Sequence, residues 1–223
     1  MELNGKIINF LGDSITQGVG VDVPENIYLN VMKRECGLAA ANNYGISGTR
    51  FARQRKPTDY APSFDQDYIS RVESMDKNAD IVVVFGGTND YGHGDATIGR
   101  RTDRTPYTFW GACHCLFTKL YETFPNAQIV VCTPLHCLGD ENPHIKMSAD
   151  GSVVDTPVLQ TYVDIIREAC DFYSIPVCDF HALAGIQPNI PLHQQTLCPD
   201  GLHPNAAGHK LMARCLTAFL ERL

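Results

Sequence analysis

The chain has 223 residues, 44% of them hydrophobic and 19% charged, with a formal net charge of −7. That is the composition of a soluble globular protein with a full-sized core, and its acidity argues against a general nucleic-acid or anionic-membrane binder. No run of about 18 apolar residues offers a membrane span, the start Met1-Glu2-Leu3-Asn4-Gly5-Lys6 lacks the regions of a signal peptide, and nine cysteines without a framework spacing read as reduced thiols in a cytoplasm.

Lys6–Leu11 is an apolar run that predicts a buried strand. It stops at Gly12-Asp13, which is turn chemistry, and Ser14 follows at once. Glu25–Cys36 carries Ile27, Val31, Met32 and Cys36 at helical spacing. A second strand is expected within Leu38–Tyr44, closed by the loop Gly45-Ile46-Ser47-Gly48-Thr49. Residues 50–65, Arg-rich and holding Pro57 and Pro62, read as irregular. Arg50, Arg53 and Arg55 there suit either a solvated charged loop or an attractor for an anionic substrate group. Asp67–Met75 predicts a short helix through Ile69, Val72 and Met75.

Ile81–Phe85 is β-branched and apolar on both faces, as a central parallel strand requires. It ends in Gly86-Gly87-Thr88-Asn89-Asp90, and a glycine-rich loop runs on to about Arg104. Thr105-Pro106 reads as an N-cap and first helical position, opening a helix with Phe109, Trp110, Cys113, Phe117, Leu120, Tyr121 and Phe124 inward. Gln128–Cys132 is the next strand. Pro134 to Asp155 holds too many Pro, Gly, His and Asp residues for a regular element. A loop that long is functional or mobile: a lid, a pocket wall or a subunit contact, carrying His136, His144 and Lys146. Thr156-Pro157 reads as another helix start, with Val158, Leu159, Tyr162, Val163, Ile166, Ala169, Cys170 and Tyr173 buried. Ile175–Cys178 is a short last strand. A Pro/Gln-rich loop leads to Asp200-Gly201-Leu202-His203-Pro204-Asn205 and a final helix with Ala207, Leu211, Met212, Cys215, Leu216 and Phe219 inward.

Alternating strands and helices predict a parallel sheet covered on both faces. Right-handed crossovers bring the strand-to-helix loops to one edge, where ligands bind in open α/β sheets. Cys113-His114-Cys115 and Cys132…His136-Cys137 invite a metal reading, but no pair has the Cys-x-x-Cys spacing of structural zinc sites. Buried thiols fit better, with Cys113 on an apolar helix face and Cys132 ending an apolar strand.

Four loops offer the parts of an acyl-transfer site. A serine needs a base to take its proton, and the base needs a third group to hold its tautomer. Asp200 and His203 lie three apart on one short loop, although alone they also suit a helix cap beside a loop histidine. Donors for a developing oxyanion are available from the backbone at Ser14, from Gly48 and from the Asn89 side chain; singly, Gly48 and Asn89 read equally well as turn residues. Tyr91 and His93 follow Asn89 and would line such a pocket, His93 being as well explained by a solvated loop. The Gly-x-Ser-x-Gly elbow, Gly-x-Gly-x-x-Gly and phosphate-loop patterns are absent.

As a set, these blocks resemble those of the SGNH hydrolases, the GDSL-type lipase/esterase family. Gly12-Asp13-Ser14 matches the nucleophile block, Asn43-Tyr44-Gly45-Ile46-Ser47-Gly48 the glycine block, Gly86-Gly87-Thr88-Asn89-Asp90 the asparagine block and Asp200-Gly201-Leu202-His203-Pro204-Asn205 the C-terminal block. Ile15-Thr16, where Leu is commoner, and Thr88 inside its block are minor departures. The resemblance implies one flavodoxin-like three-layer α/β/α domain over residues 1–223 with a five-stranded parallel sheet. It implies Ser14 as nucleophile, His203 as base, Asp200 as its orienting group, and an oxyanion hole of Ser14, Gly48 and Asn89. Asp13, Tyr91 and His93 are expected at the substrate, with no metal or cofactor. Ester hydrolysis through an acyl-enzyme is the implied reaction. The expected location and the lack of an anchor favour small soluble acyl esters such as acetylated sugars over short-chain lipid esters or thioesters. A metal-dependent phosphoesterase using Asp13, Asp90 and His203, or a flavodoxin-like binder without catalysis, is the competing reading.

Overall fold

The structure is a computed structural model that describes residues 1–57, 61–147, 151 and 153–223. In chain order its elements are β1 (Ile7–Gly12), α1 (Ser14–Gln17), α2 (Tyr28–Cys36), β2 (Ala40–Gly45), α3 (Tyr68–Arg71), β3 (Ile81–Phe85), α4 (Thr88–Gly92), α5 (Phe109–Thr123), β4 (Gln128–Cys132), β5 (His144–Met147), β6 (Val153–Thr156), α6 (Leu159–Phe172), β7 (Val177–Cys178), α7 (Phe180–Leu183), α8 (Pro191–Leu197) and α9 (Ala206–Leu220).

Five strands form one parallel sheet in the order β2-β1-β3-β4-β7. Side chains of a strand alternate between faces, and here both faces are apolar. Leu11, Val82 and Val84 enter a core with α3, α5 and α6; Ile8, Phe10, Val83 and Phe85 enter a second core with α2, α7 and α9. All five residues of β3 are buried, which is why it carries no polar alternation. The result is the expected flavodoxin-like α/β/α sandwich.

Winding leaves β1 in opposite directions, toward β2 on one side and β3 on the other, so a switch point lies between β1 and β3. Gly12 is level with Gly45 on β2 and with Phe85 on β3. The loops that follow these three strands therefore emerge side by side. Among the described residues no helix is long and apolar enough to cross a membrane.

Several local expectations are corrected. α5 starts at Phe109, because Thr108 rather than Thr105 caps it: its Oγ1 accepts from Gly111 N at 3.2 Å and donates to Asp103 at 2.9 Å. Thr156 ends β6 and gives its hydroxyl to the His144 carbonyl, so α6 begins only at Leu159. The stretch from Pro134 to Asp155 contains an antiparallel hairpin, β5–β6, that its Pro, His and Asp content disguises. The parts of that stretch at 148–150 and 152, and of the irregular 50–65 stretch at 58–60, lie outside the described residues. The Pro/Gln-rich loop holds α7 and α8, and the block around Asn89 is the short helix α4. Tyr121 and Ala207 are exposed, while His209 takes an inward position on α9, where its Nδ1 accepts from Tyr28 N at 3.1 Å. All nine cysteines are free and six are buried.

The level ends of β1 and β2 leave no room between them. A Cβ on Gly45 would lie 2.1 Å from the backbone nitrogen of Gln17 on α1. Gly45→Ala is expected to destabilise the fold by about 1–3 kcal/mol through this overpacking. Urea denaturation checks it; a midpoint equal to the parent's would show that α1 can move aside.

Candidate active site

α1 starts directly from the end of β1. Asp13 caps it, Oδ1 accepting from Ile15 N at 3.0 Å. Ser14 is thereby the first helical residue, 8% exposed, with a backbone N–H that has no acceptor within the helix. Its Oγ lies 2.9 Å from His203 Nε2, and His203 Nδ1 lies 2.7 Å from Asp200 Oδ2. With its proton on Nδ1, donated to the Asp200 carboxylate, the imidazole leaves Nε2 as the acceptor for the serine hydroxyl.

The Asp200–His203 loop is locally determined. Asp200 Oδ1 accepts from Leu202 N at 2.8 Å and His203 N at 2.7 Å, a side-chain turn that sets the imidazole above its own carboxylate. Burial raises the Asp200 carboxyl, but the bonds from His203 and Leu202 outweigh it and hold the group below the usual carboxylate range. Asn205 then caps α9 through Ala207 N and Gly208 N.

Asn89 reaches the same place from β3 by way of α4. Its Nδ2 donates to Thr49 O at 3.0 Å, which uses one of two protons and leaves the second available. Its Oδ1 is 3.2 Å from His93 Nε2, and His93 Nδ1 is 2.5 Å from Arg50 Nη1. Arg50 can only donate, so His93 accepts at Nδ1 and carries its proton on Nε2, toward Asn89. Burial first, then Arg50 and Lys146, push the His93 imidazole down to about 4, which keeps it neutral. Gly48 completes the cluster with φ +76°, and a Cβ there would meet the Phe64 ring at 2.4 Å.

Two cavities of about 390 Å³ each meet at this cluster. One is lined by Ser14, Ser47, Gly48, Phe64, Asn89 and His203, with Val19 at its edge. The other is lined by Tyr91, Cys137, Leu138, His144, Asp200 and Gly201. Asn89, His93 and Leu202 border both. A hollow of about 480 Å³ between Pro24 and Leu38 contains none of these groups.

Ser14, Gly48, Asn89, Asp200 and His203 are thus brought together, with Tyr91 and His93 beside them. Tyr91 donates to the Gly139 and Asn142 carbonyls and sets its ring edge-on to His144, with centroids 4.3 Å apart. Asp13 is a correction: it is 1% exposed, lines neither cavity and serves α1. In the arginine loop Arg50 departs from the solvated reading, while Arg53 is partly exposed and Arg55 exposed. Arg50 is 1% exposed and holds Phe64 O and Asp65; Arg53 pairs with Asp67; Arg55 stacks on Tyr107.

Arg71 and Phe64 were not expected near the site, whereas Lys146 lies on the 134–155 segment and Leu202 in the Asp200–Asn205 block. Arg71 ties β1 to β2 by donating to Gly12 O and Tyr44 O, both at 2.9 Å. Lys146 reaches from β5 to the Asp90 carbonyl, and burial pushes it down to about 8. Nothing in the sequence near Phe64 signals a pocket wall, and Arg71 reads only as one of several polar residues on a short helix.

Residues 10–211 match the model of the GDSL-like lipase/acylhydrolase family. The chain belongs to this family. It is accordingly a carboxylic ester hydrolase, acting on a small-molecule ester. A solved protein from Lactobacillus plantarum is 28% identical, with 98% of each chain covered and a TM-score of 0.80. An acetyl xylan esterase is 23% identical over 95% of this chain and 98% of its own, with a TM-score of 0.63. A member of the lipolytic G-D-S-L family from Veillonella parvula is 18% identical over 97% and 98%, with a TM-score of 0.59. The last two are similar in fold. No curated protein matches the chain in sequence.

The Asp13 carboxyl gives this GDSL-like hydrolase a pH signature of its own. Burial raises it from 3.8 to about 6, against the opposing pull of Ile15 N, His203 and Arg71, and Oδ2 has no hydrogen-bond partner. Below its unfolded pKa the group is protonated in both states and carries no charge penalty. As pH rises toward 6 the folded chain holds the proton longer, and above 6 it bears the full cost of a buried anion. Asp13→Asn keeps the capping oxygen and removes that charge. Its stability relative to the parent is expected to rise between about pH 4 and 6 and then level off, by a total on the order of 1–3 kcal/mol. Thermal melts across that range check it, and a pH-independent difference would place the charge cost elsewhere.

Proposed function

We propose that the enzyme deacylates small soluble esters through an acyl-enzyme on Ser14. The observation that carries this reading is the continuous chain Ser14 Oγ–His203 Nε2, His203 Nδ1–Asp200 Oδ2 at 2.9 and 2.7 Å. Ser14 Oγ attacks the ester carbonyl carbon as its proton passes to Nε2, and the carbonyl π pair moves to oxygen. The Ser14 N–H, the Gly48 N–H and the second Asn89 Nδ2 proton receive that oxyanion. Collapse breaks the bond to the leaving alkoxide, which takes the Nε2 proton. Water, deprotonated by the same nitrogen, then releases the acid and restores Ser14. Asp200 remains ionised throughout, turning the imidazole and stabilising its charged form.

Deacetylation is the preferred member of this class. The cavity beside Ser14 is bounded by Phe64 against Gly48, which suits a short acyl group. The second cavity brings Tyr91, His144 and Asp200 to the leaving-group side, a mixed aromatic and polar lining suited to a sugar. The acetyl xylan esterase of the same fold is consistent with this choice.

Ser14→Ala is expected to abolish release of p-nitrophenol from p-nitrophenyl acetate with the melting temperature retained; undiminished turnover would remove Ser14 from the mechanism. Asn89→Ala is expected to lower kcat by about 10²–10³, and an unchanged kcat would leave Asn89 a structural residue of α4. Acetate release from acetylated sugars, compared with p-nitrophenyl esters of graded length, tests the substrate class. A kcat/KM that climbs from acetyl to octanoyl would overturn the deacetylase reading while leaving the Ser14 chemistry intact.

A further inference from the structure

Beyond the Asp200 loop, on the β4–β7 side of the sheet edge, a second group of chemically competent side chains has no part in the ester chemistry. His136 lies just after β4, Asp140 four residues later, and His181 is the second residue of α7. One donor atom from each lies within 4.8 Å of the other two. His136 Nδ1 is 2.5 Å from Asp140 Oδ2, and the two imidazole centroids are 3.6 Å apart. His181 Nδ1 is buried with no hydrogen-bond partner.

We propose that His136, Asp140 and His181 form a binding site for a divalent transition-metal ion, zinc being the best match. Two imidazoles and one carboxylate are a known zinc ligand set that leaves a fourth position for water. Partly exposed His136 and His181 leave that position a path to solvent. The site also has the outer support that metal carboxylates require: Asn189 Nδ2 donates to Asp140 Oδ1 at 3.0 Å, and Asn189 Oδ1 accepts from Gly139 N at 2.8 Å. An ion bound here takes the place of the hydrogen bond between His136 Nδ1 and Asp140 Oδ2, its proton leaving to solvent, and the unpartnered His181 Nδ1 offers a further ligand atom. A filled site would pin the 137–140 turn, which carries Cys137 and Leu138 of the second cavity, to α7.

Chelator-treated full-length protein titrated with zinc chloride by calorimetry tests the site. One equivalent is expected to bind with a Kd of about 10 µM or tighter, and zinc is expected to raise the melting temperature by several degrees. His181→Gln and Asp140→Asn should each weaken binding at least about 10-fold, and Asn189→Ala about 10–100-fold. Cobalt(II) in place of zinc distinguishes these ligands from the cysteines: nitrogen and oxygen ligation gives visible d–d bands without a sulfur-to-cobalt charge-transfer band. The absence of one-equivalent binding, binding unaffected by His181→Gln in a folded variant, or a thiolate charge-transfer band would each overturn the assignment.

Discussion

The arrangement of the site rests on one constraint, the level alignment of β1 and β3 at the point where the sheet changes winding direction. Gly12 and Phe85 are register partners, so the turn after β1 and the helix after β3 start at the same height, one strand spacing apart. Ser14 and Asn89 can then face one small volume without either loop being long. The β-sheet hydrogen bonds set this relation, and it does not depend on the side chains that perform the chemistry. The remaining parts are brought to that volume from farther away: Gly48 by the loop after β2, and His203 by the turn before α9.

The His203 turn is held by its own Asp200, whereas the β2 loop and α4 are held by buried polar groups that bond backbone rather than substrate. Arg71 spans the β1 and β2 ends, Asp90 accepts from Phe51 N and Ala52 N, and Lys146 closes on the Asp90 carbonyl. Each desolvated charge is costly unless it is fully bonded. Its expense is justified where a loop must keep one position, because a buried charge with a single set of partners tolerates no slippage. The chain Arg50–His93–Asn89 belongs to this class. His93 does not need to titrate; its fixed tautomer turns the Asn89 amide so that oxygen faces the ring and nitrogen faces Thr49 and the cavity.

This division explains what was legible in the sequence. The sheet was readable because apolar runs such as Ile81–Phe85 announce buried strands, whereas Gly48, Asn89, Asp200 and His203 read singly as turn or cap residues and joined Ser14 as a set only through the four family-like blocks. Asp13 was misread for the same reason: a carboxylate in a conserved-looking block reads as chemistry, while its capping bond to Ile15 N is a backbone fact. Arg50 was misread as solvated because its partners, His93, Phe64 and Asp65, are brought near only by tertiary packing. The β5–β6 hairpin escaped notice because β5 and β6 are only four residues each and flanked by Pro and Asp, too short for a period of 2 to stand out. His181 gave no signal at all, since its neighbours His136 and Asp140 lie some forty residues away in sequence.

Substrate choice follows from the same geography. In the proposed reaction the ester carbonyl lies between two cavities, and Asn89, His93 and Leu202 border both. The acyl side is built from β1, β2 and the Phe64 turn, elements close to the sheet and tied by Arg50 and Arg71. The proposed leaving-group side is built from α4, the Asp200 loop, Cys137 and Leu138, with His144 as the one contribution of the β5–β6 hairpin. The hairpin stands farther from the sheet, with Ile145 76% and Val153 62% exposed. Changes in the hairpin can therefore alter which alcohol is accepted without disturbing the acyl group or the serine. On the proposed reading, acyl chemistry and leaving-group recognition are separated by where each wall is anchored, and Lys146 on the Asp90 carbonyl, with Tyr91 on the Gly139 and Asn142 carbonyls, ties the outer wall to the asparagine helix.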